Sequence, residues 1–317
     1  MKNKRHANEL YEVANRLTFE PHRIWLDPTG RYDESLDREF PLIIKLFHFR
    51  HQDFTPGLSW HERLELFMPL DGPACMQMGK RQVELDPGEV LIVDNLKLHM
   101  TVDAPELNTR VIVISFLPEF IHGPGSPPLD HVFLLPFYTQ RAGQARVVRL
   151  DAPLLPRVHR AVAQLVQCYA DRTDYFQAGC KVYLLELLYH LAQHFRAIDF
   201  PRSELIRQQE RVAKVKPLFE FVARHYAEPL TPKESASLIK MSLPQFMKAF
   251  KKIAGMTFVS YLTLVRLANA VSLLKGSSLT IGEVAKQVGF SDQSYFDRRF
   301  KAVFYQTPRA FRSKVDG

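Results

Sequence analysis

The sequence predicts a two-domain α+β chain. An N-terminal half folds as a small antiparallel β-barrel with flanking helices, and an all-α C-terminal domain is built from two helix-turn-helix units. Three observations carry this. The last hundred of the 317 residues write one helical pattern twice: Phe246, Phe250, Lys251, Thr257 and Tyr261 recur as Phe296, Phe300, Lys301, Thr307 and Phe311 at a constant offset of 50. Ala236 and Ala285 are offset by 49, so the second turn is one residue longer. A repeat of this length marks stacked units that share one core. Residues 40–116, in contrast, alternate short β-branched runs with turn signals. Charge divides the same way: residues 207–317 carry 19 Lys/Arg and 8 Asp/Glu, a net +11, whereas residues 1–206 carry 23 and 26, a net −3. A basic third beside a near-neutral remainder points to a polyanionic partner for that third.

Taken in order, residues 1–20 read as a polar arm or short helix. Leu42–Phe49, Leu64–Met68, Val90–Val93 and Val111–Phe116 read as strands, separated by the turn signals Asp71-Gly72-Pro73, Gly79-Lys80 and Asp86-Pro87-Gly88. Strands this short and this closely spaced suggest a barrel or jelly roll. Gly123–Pro128 reads as a loop. Leu154, Val158, Val162, Leu165 and Val166 then recur at helical spacing, and after a break near 171–174 comes a second helix. Its leucines 184, 185, 187, 188 and 191 put five leucines in eight positions, more than one narrow stripe needs. Two readings stay open: burial against the barrel, or a seam with a second copy through Leu184, Leu188 and Leu191. The expected divisions are residues 1–150 for the barrel and arm, 151–200 for the helical segment, 201–211 for a linker, and 212–317 for the helical domain.

In the second unit, Ser291 or Asp292 is the expected cap of a helix through Lys301. Phe296 and Phe300 point inward at i and i+4, which leaves Gln293, Ser294, Tyr295, Asp297, Arg298 and Lys301 for the other face. Gln pairs with adenine, Arg with guanine, and Asp accepts from cytosine in the major groove. In the first unit Ser242 caps, and the outer face carries Pro244, Gln245, Met247, Lys248, Lys251 and Lys252. Cations with few base-reading groups suit phosphates or thymine methyls more than base edges. The helix between, Thr257–Lys275, spans roughly 28 Å, near the roughly 34 Å between successive major-groove faces.

These residues together resemble the AraC/XylS family of bacterial transcription regulators. The likeness covers 212–315 and runs through Phe250-Lys251-Lys252, Gly255-Met256-Thr257-Phe258, Tyr261-Leu262, Arg266-Leu267, Ala270 and Leu273-Leu274, and then through Ile281-Gly282-Glu283-Val284-Ala285, Val288–Phe296, Arg299-Phe300-Lys301, Thr307-Pro308 and Phe311-Arg312. Tyr305 stands where the family usually has Gly. Over residues 57–99 the run Trp60–Leu66, Gly72, Leu85–Val90 and His99 resembles a cupin barrel. The double resemblance implies a DNA-binding regulator, an activator, whose barrel senses a small polar effector such as a sugar. Double-stranded promoter DNA, a second copy of the chain and RNA polymerase are the implied partners.

Cupin enzymes bind metal through two His and a Glu near the first turn and a further His near the second. His61, Glu65 and His99 match three of those positions, and Ser59 stands where the first His would be. On an extended strand His61 and Glu65 share one face, and His48 and Arg50 share a face of their own strand. His48, Arg50, His61, Glu65 and His99 are therefore candidate effector contacts. No metal or cofactor is expected, with His61, Glu65 and His99 the candidates should one bind. The alternative is a cupin-type metalloenzyme, an isomerase or dioxygenase, fused to a DNA-binding domain. It is disfavoured because no complete catalytic set is visible, so the chain is expected not to be an enzyme. The three cysteines lack metal-type spacing and fit a reducing, cytoplasmic setting. No leader-type apolar segment follows the basic start, and no run approaches 18 apolar residues, so no membrane contact is expected.

Overall fold

The structure is a computed structural model. It describes residues 10–17, 19–21, 36–37, 39–51, 61, 63–78, 81–94, 99–102, 104, 106–122, 128–138, 145–195, 202–304 and 306–315. Ser59, Trp60, Tyr305 and the Gly79-Lys80 turn lie outside them.

The N-terminal half is sheet-rich. Strands β1 (Phe19–Pro21), β2 (Leu42–Arg50), β3 (Leu64–Pro69), β6 (Val90–Val93), β8 (Asn108–Phe116) and β9 (Arg146–Val148) form a six-stranded sheet in the order β1-β2-β8-β3-β6-β9. Strands β4 (Ala74–Met78), β5 (Arg81–Leu85) and β7 (His99–Thr101) form a second sheet, β5-β4-β7. All pairings are antiparallel except β1 with β2. The period of two gives the large sheet two apolar faces. Phe49, Phe67, Leu91, Val93 and Val111 meet Ala74, Met76, Val83 and Leu85 of the small sheet. Leu42, Ile44, Leu46, Leu64, Leu66 and Ile114 pack instead against helices.

Those helices are the short α1 (Leu135–Tyr138), α2 (Leu155–Asp171) and α3 (Phe176–His194). The expected break is there: Arg172 and Tyr175 sit at φ 48° and 62°, turning the chain back so that α3 lies on α2. Leu184, Leu188 and Leu191 are 0% exposed and belong to the core shared with α2 and the large sheet. The leucine excess is thus used inside one chain, which corrects the expectation of a seam between copies. Among described residues the outward side of α3 carries Val182 and Tyr189 instead.

The expected linker at 201–211 is also corrected. It falls in α4 (Arg202–His225), which starts just after Pro201 and carries Pro217 within it. The rest is helical: α5 (Pro232–Leu238), α6 (Leu243–Ala254), α7 (Phe258–Gly276), α8 (Ile281–Gln287), α9 (Gln293–Phe304) and α10 (Pro308–Val315). They share one core, centred on Phe219, Phe246, Phe250, Phe258, Tyr261, Phe296 and Phe300. Helix α7 is apolar over its whole length because it runs through that core, where Tyr261, Leu267 and Ala270 are fully buried. Met100 of β7, from the N-terminal half, is 4% exposed and packs in the same cluster.

Candidate nucleic-acid interface and a buried polar cluster

The repeat in sequence is a repeat in capping chemistry. Thr231 and Glu234 form a capping box at the start of α5, and Thr280 and Glu283 form the same box at the start of α8. Each satisfies two backbone N–H groups that a helix start leaves open. Both carboxyls are held below the usual range, first by the hydrogen bond from the threonine hydroxyl. The turns match too: the Met241 N–H donates to the Ala236 carbonyl, and the Phe290 N–H to the Ala285 carbonyl, each at 2.9 Å. Both turns need a left-handed residue, Lys240 at φ 53° in one and Gly289 at φ 92° in the other. Thr257 and Thr307 then cap α7 and α10 by the same bond to the N–H three residues on.

Helix α9 is capped by Asp292, whose Oδ1 accepts the Tyr295 N–H at 2.6 Å. Helix α6 begins after Ser242, whose backbone has the capping conformation but whose side chain makes no capping bond. Phe246, Phe250, Phe296 and Phe300 face the core as expected. Pro244, Gln245, Met247, Lys248, Lys251 and Lys252 on α6 are exposed, as are Gln293, Ser294, Tyr295, Arg298 and Lys301 on α9. Asp297 differs. It is partly buried, and burial raises its carboxyl against a hydrogen bond from Gln293. Gln293 and Asp297 both border a cleft of about 640 Å³ that Thr280, Arg309 and Arg312 also line. Ser294, Arg298 and Lys301 are exposed and do not line that cleft.

Two arginines that the sequence reading placed in the family motif, without a role, hold the domain together. Arg266 of α7 donates to the carbonyls of Tyr226 and Glu228 just past α4, at 2.7 and 2.8 Å. Arg312 of α10 donates to those of Leu274 and Leu279 around the end of α7. Helix ends leave carbonyls unpartnered, and a guanidinium fork answers two at once. Their signal was their place in the family motif, with no local pattern to give the role.

In the N-terminal half the structure brings His61, Glu65 and His99 together, at 4%, 7% and 5% exposure. His61 Nε2 lies 3.0 Å from Glu65 Oε2, His99 Nε2 lies 3.6 Å from the same oxygen, and the two Nε2 atoms are 3.3 Å apart. Glu65 is on β3, opposite Ser115 of β8 and Val93 of β6. The Ser115 hydroxyl donates to Glu65 Oε1 at 2.7 Å, and Arg63 is 3.7 Å from that oxygen. Burial pushes the His61 imidazole down to about 4 despite the neighbouring carboxylate. Burial alone would raise Glu65, but His61, the hydrogen bond from His99 and the Arg63 charge hold it well below the usual carboxylate range. Two imidazoles and a carboxylate with their donor atoms within 4.8 Å of one another form a ligand set for a metal ion.

His48 and Arg50 are not part of this cluster. They alternate with the inward-facing Phe47 and Phe49 and so lie on the other face of the sheet from Glu65. His48 pairs in register with Arg110 and hydrogen-bonds the Asn108 side chain, whereas Glu65 sits opposite Ser115, five residues along the same strand.

Residues 236–314 match the family model described as a helix-turn-helix domain. The chain is 21% identical over 255 residues to YdeC, an uncharacterized HTH-type transcriptional regulator of Bacillus subtilis, covering 80% of this chain and 85% of that protein. It is 25% identical over 168 residues to the HTH-type transcriptional activator RhaS of Klebsiella pneumoniae, and there it spans only 58% of the relative's length. Among solved structures, unsaturated fatty acid bound ToxT from Vibrio cholerae shares the two-part fold at a TM-score of 0.50 and 13% identity, over 88% of this chain and 96% of that one.

Proposed function

We propose that the chain is a transcription regulator of the AraC type that grips double-stranded promoter DNA with α6 and α9 and answers to a small polar effector bound in its sheet-rich half. The carrying observation is the duplicated unit: two helix-turn-helix units whose first helices carry the same capping box, fixed on one central helix, present two basic helix faces. On α9, Arg298 reads a base, and on α6, Lys248, Lys251 and Lys252 hold phosphates. Regulation as an activator is supported by the likeness to RhaS, a transcriptional activator. Such a regulator acts in the cytoplasm, beside RNA polymerase. Paired half-sites would call for two chains, whose contact would use surfaces other than Leu184, Leu188 and Leu191.

The effector site we propose is the His61–Glu65–His99 cluster, buried with Arg63 and Ser115 beside the apolar side chains between the two sheets. An oxygen-rich ligand, of which a sugar is one, suits a carboxylate and two imidazoles. The fold does not dictate the ligand class, since ToxT holds a fatty acid. Selection of duplexes from a random pool, followed by affinity measurements across salt, tests the DNA half. Lys248, Lys251, Lys252 and Lys301 are exposed on the two helices; if each meets one phosphate, log K falls against log salt with a slope of about −3 to −4. A flat salt response, or no enriched sequence, overturns this reading.

A further inference from the structure

The two units differ where the repeat makes their positions equivalent. In the second unit Thr280, Gln293, Asp297, Arg309 and Arg312 line the cleft beside α9, and its walls are largely polar. Asp297 takes a hydrogen bond from Gln293, one turn before it on the helix. Shifted by the repeat offset, 49 for the first helices and 50 from the reading helices onward, these positions become Thr231, Leu243, Met247, Val259 and Leu262. The hydrogen-bonding pair at i and i+4 on α9 is replaced by an apolar pair at i and i+4 on α6. The arginine at the start of α10 is replaced by a valine at the start of α7. Leu243 is 42% exposed, Met247 36% and Val259 52%, so of the four apolar residues only Leu262 is buried.

Cations surround this apolar surface. Lys248, Lys251 and Lys252 are exposed on the same helix, Lys240 is exposed in the turn before it, and α6 carries no acidic residue. A group that fits here is apolar and flanked by negative charge. An apolar protein face offers the first without the second. In the major groove the thymine C5-methyl is the apolar group on a base edge, and it lies between two rows of phosphates. Leucine and methionine bring no N–H or O–H to these two positions, so this part of α6 does not sort bases by hydrogen bonds. Methionine is unbranched and its sulfur polarizable, which lets it settle on a methyl group without a fixed geometry.

We infer that Leu243 and Met247 read the C5-methyl of a thymine, with Val259 extending the same apolar surface. The two heads then use different chemistry: the first selects thymine by its methyl group, and the second sorts bases by hydrogen bonds from α9. This inference rests on the regulator reading above and deepens it, because it names the base that the first head selects and the side chains that select it.

Deoxyuridine is the probe, because it removes the methyl and keeps the hydrogen bonds of the base pair. In a duplex selected on the full wild-type chain, each thymine is replaced in turn. At least one replacement should weaken binding about 4-fold, the worth of one buried methyl. At that position 5-methylcytosine should bind more tightly than cytosine by a similar factor. Met247→Gln and Leu243→Ala change exposed side chains and should keep the wild-type circular dichroism. Each should shrink the loss at that position to below about 2-fold, while Arg298→Ala should leave it in place. A selected duplex with a flat uracil scan, or a sensitive position that survives both Met247→Gln and Leu243→Ala, overturns the inference. Loss of transcription in Met247→Gln with DNA affinity and uracil scan as in the wild type also overturns it, and gives the apolar surface to a protein partner. A chain that selects no duplex overturns the regulator reading itself and takes this inference with it.

Discussion

Gly289→Ala tests how the second reading helix is aimed. Gly289 holds the turn between α8 and α9 at φ 92°, where an L side chain is strained. A Cβ there would lie 2.6 Å from the Ala227 carbonyl oxygen, 2.9 Å from Ala227 Cα and 2.9 Å from Arg266 Nε. Ala227 cannot yield easily, because Arg266 holds the carbonyls on either side of it, those of Tyr226 and Glu228. Left-handed geometry costs about 1–2 kcal/mol for a non-glycine, and overpacking against fixed backbone about 1–3 kcal/mol more. The expected loss is about 3 kcal/mol, with α9 pushed away from α4. Chemical denaturation of the full chain, followed by tryptophan-independent circular dichroism at the helix band, should show a lower midpoint. DNA affinity should fall more than stability alone explains under conditions where the variant is folded. The equivalent turn of the first unit provides the contrast: Lys240 already sits at φ 53°, so Lys240→Gly should change stability by less than about 1 kcal/mol. If Gly289→Ala matched the wild type in midpoint and in affinity, the close approach of this turn to α4 would be wrong.

Leu188→Glu should cost more than about 4 kcal/mol, because it removes a fully buried leucine and leaves an unpaired charge in its place; a variant that melts like the wild type but sediments differently would restore the seam between copies. Arg298→Ala should cost roughly 1–3 kcal/mol and relax preference at one base position, whereas Lys251→Ala should weaken all sequences evenly; an unchanged selected motif for Arg298→Ala refutes the face assignment. Burial lowers the Lys275 ammonium to about 8, so the unfolded chain binds the extra proton between pH 8 and 10.5 and stability should rise with pH across that window. Lys275→Met should flatten the rise and, for a half-buried and partly screened side chain, add up to about 1 kcal/mol at neutral pH; a wild-type stability that falls from pH 8 to 10 refutes it.

The helical domain was legible because its signals are local. The threonine–glutamate pairs that cap α5 and α8, the phenylalanines at i and i+4, and the one-residue difference between the turns can all be counted in the sequence. The face of α9 was only half legible: helical period places Gln293 and Asp297 away from the phenylalanines, but not that Thr280 and Arg312 close a cleft around them. In the N-terminal half the period of two correctly joined His61 to Glu65 and His48 to Arg50. It says which residues share a face and is silent on which face is inward. His99 joins the cluster from 38 residues away through pairing of β4 with β7, a long-range event with no local trace. Strands β4, β5, β7 and β9 escaped detection because three to five mixed residues give too little alternation to read. The leucines of α3 declared burial without naming their partner, and the partner is the chain itself.

The single core threaded by α7 restricts the grammar of any operator the protein uses. One more base pair between the two sites touched by one chain moves them about 3.4 Å apart along the axis and turns them by about 34–36°. A flexible tether between the heads would absorb that step. Here the rings form two sets, Phe250 with Phe258 and Tyr261 at 5.4 Å and Phe300 with Phe304 and Phe311 at 4.6 and 5.8 Å, and both are buried in the one core that α7 runs through, which leaves no joint at which to do so. Within one chain's footprint the spacing of base preferences should therefore be invariant, and variation among operators should be confined to the gap between one bound chain and the next.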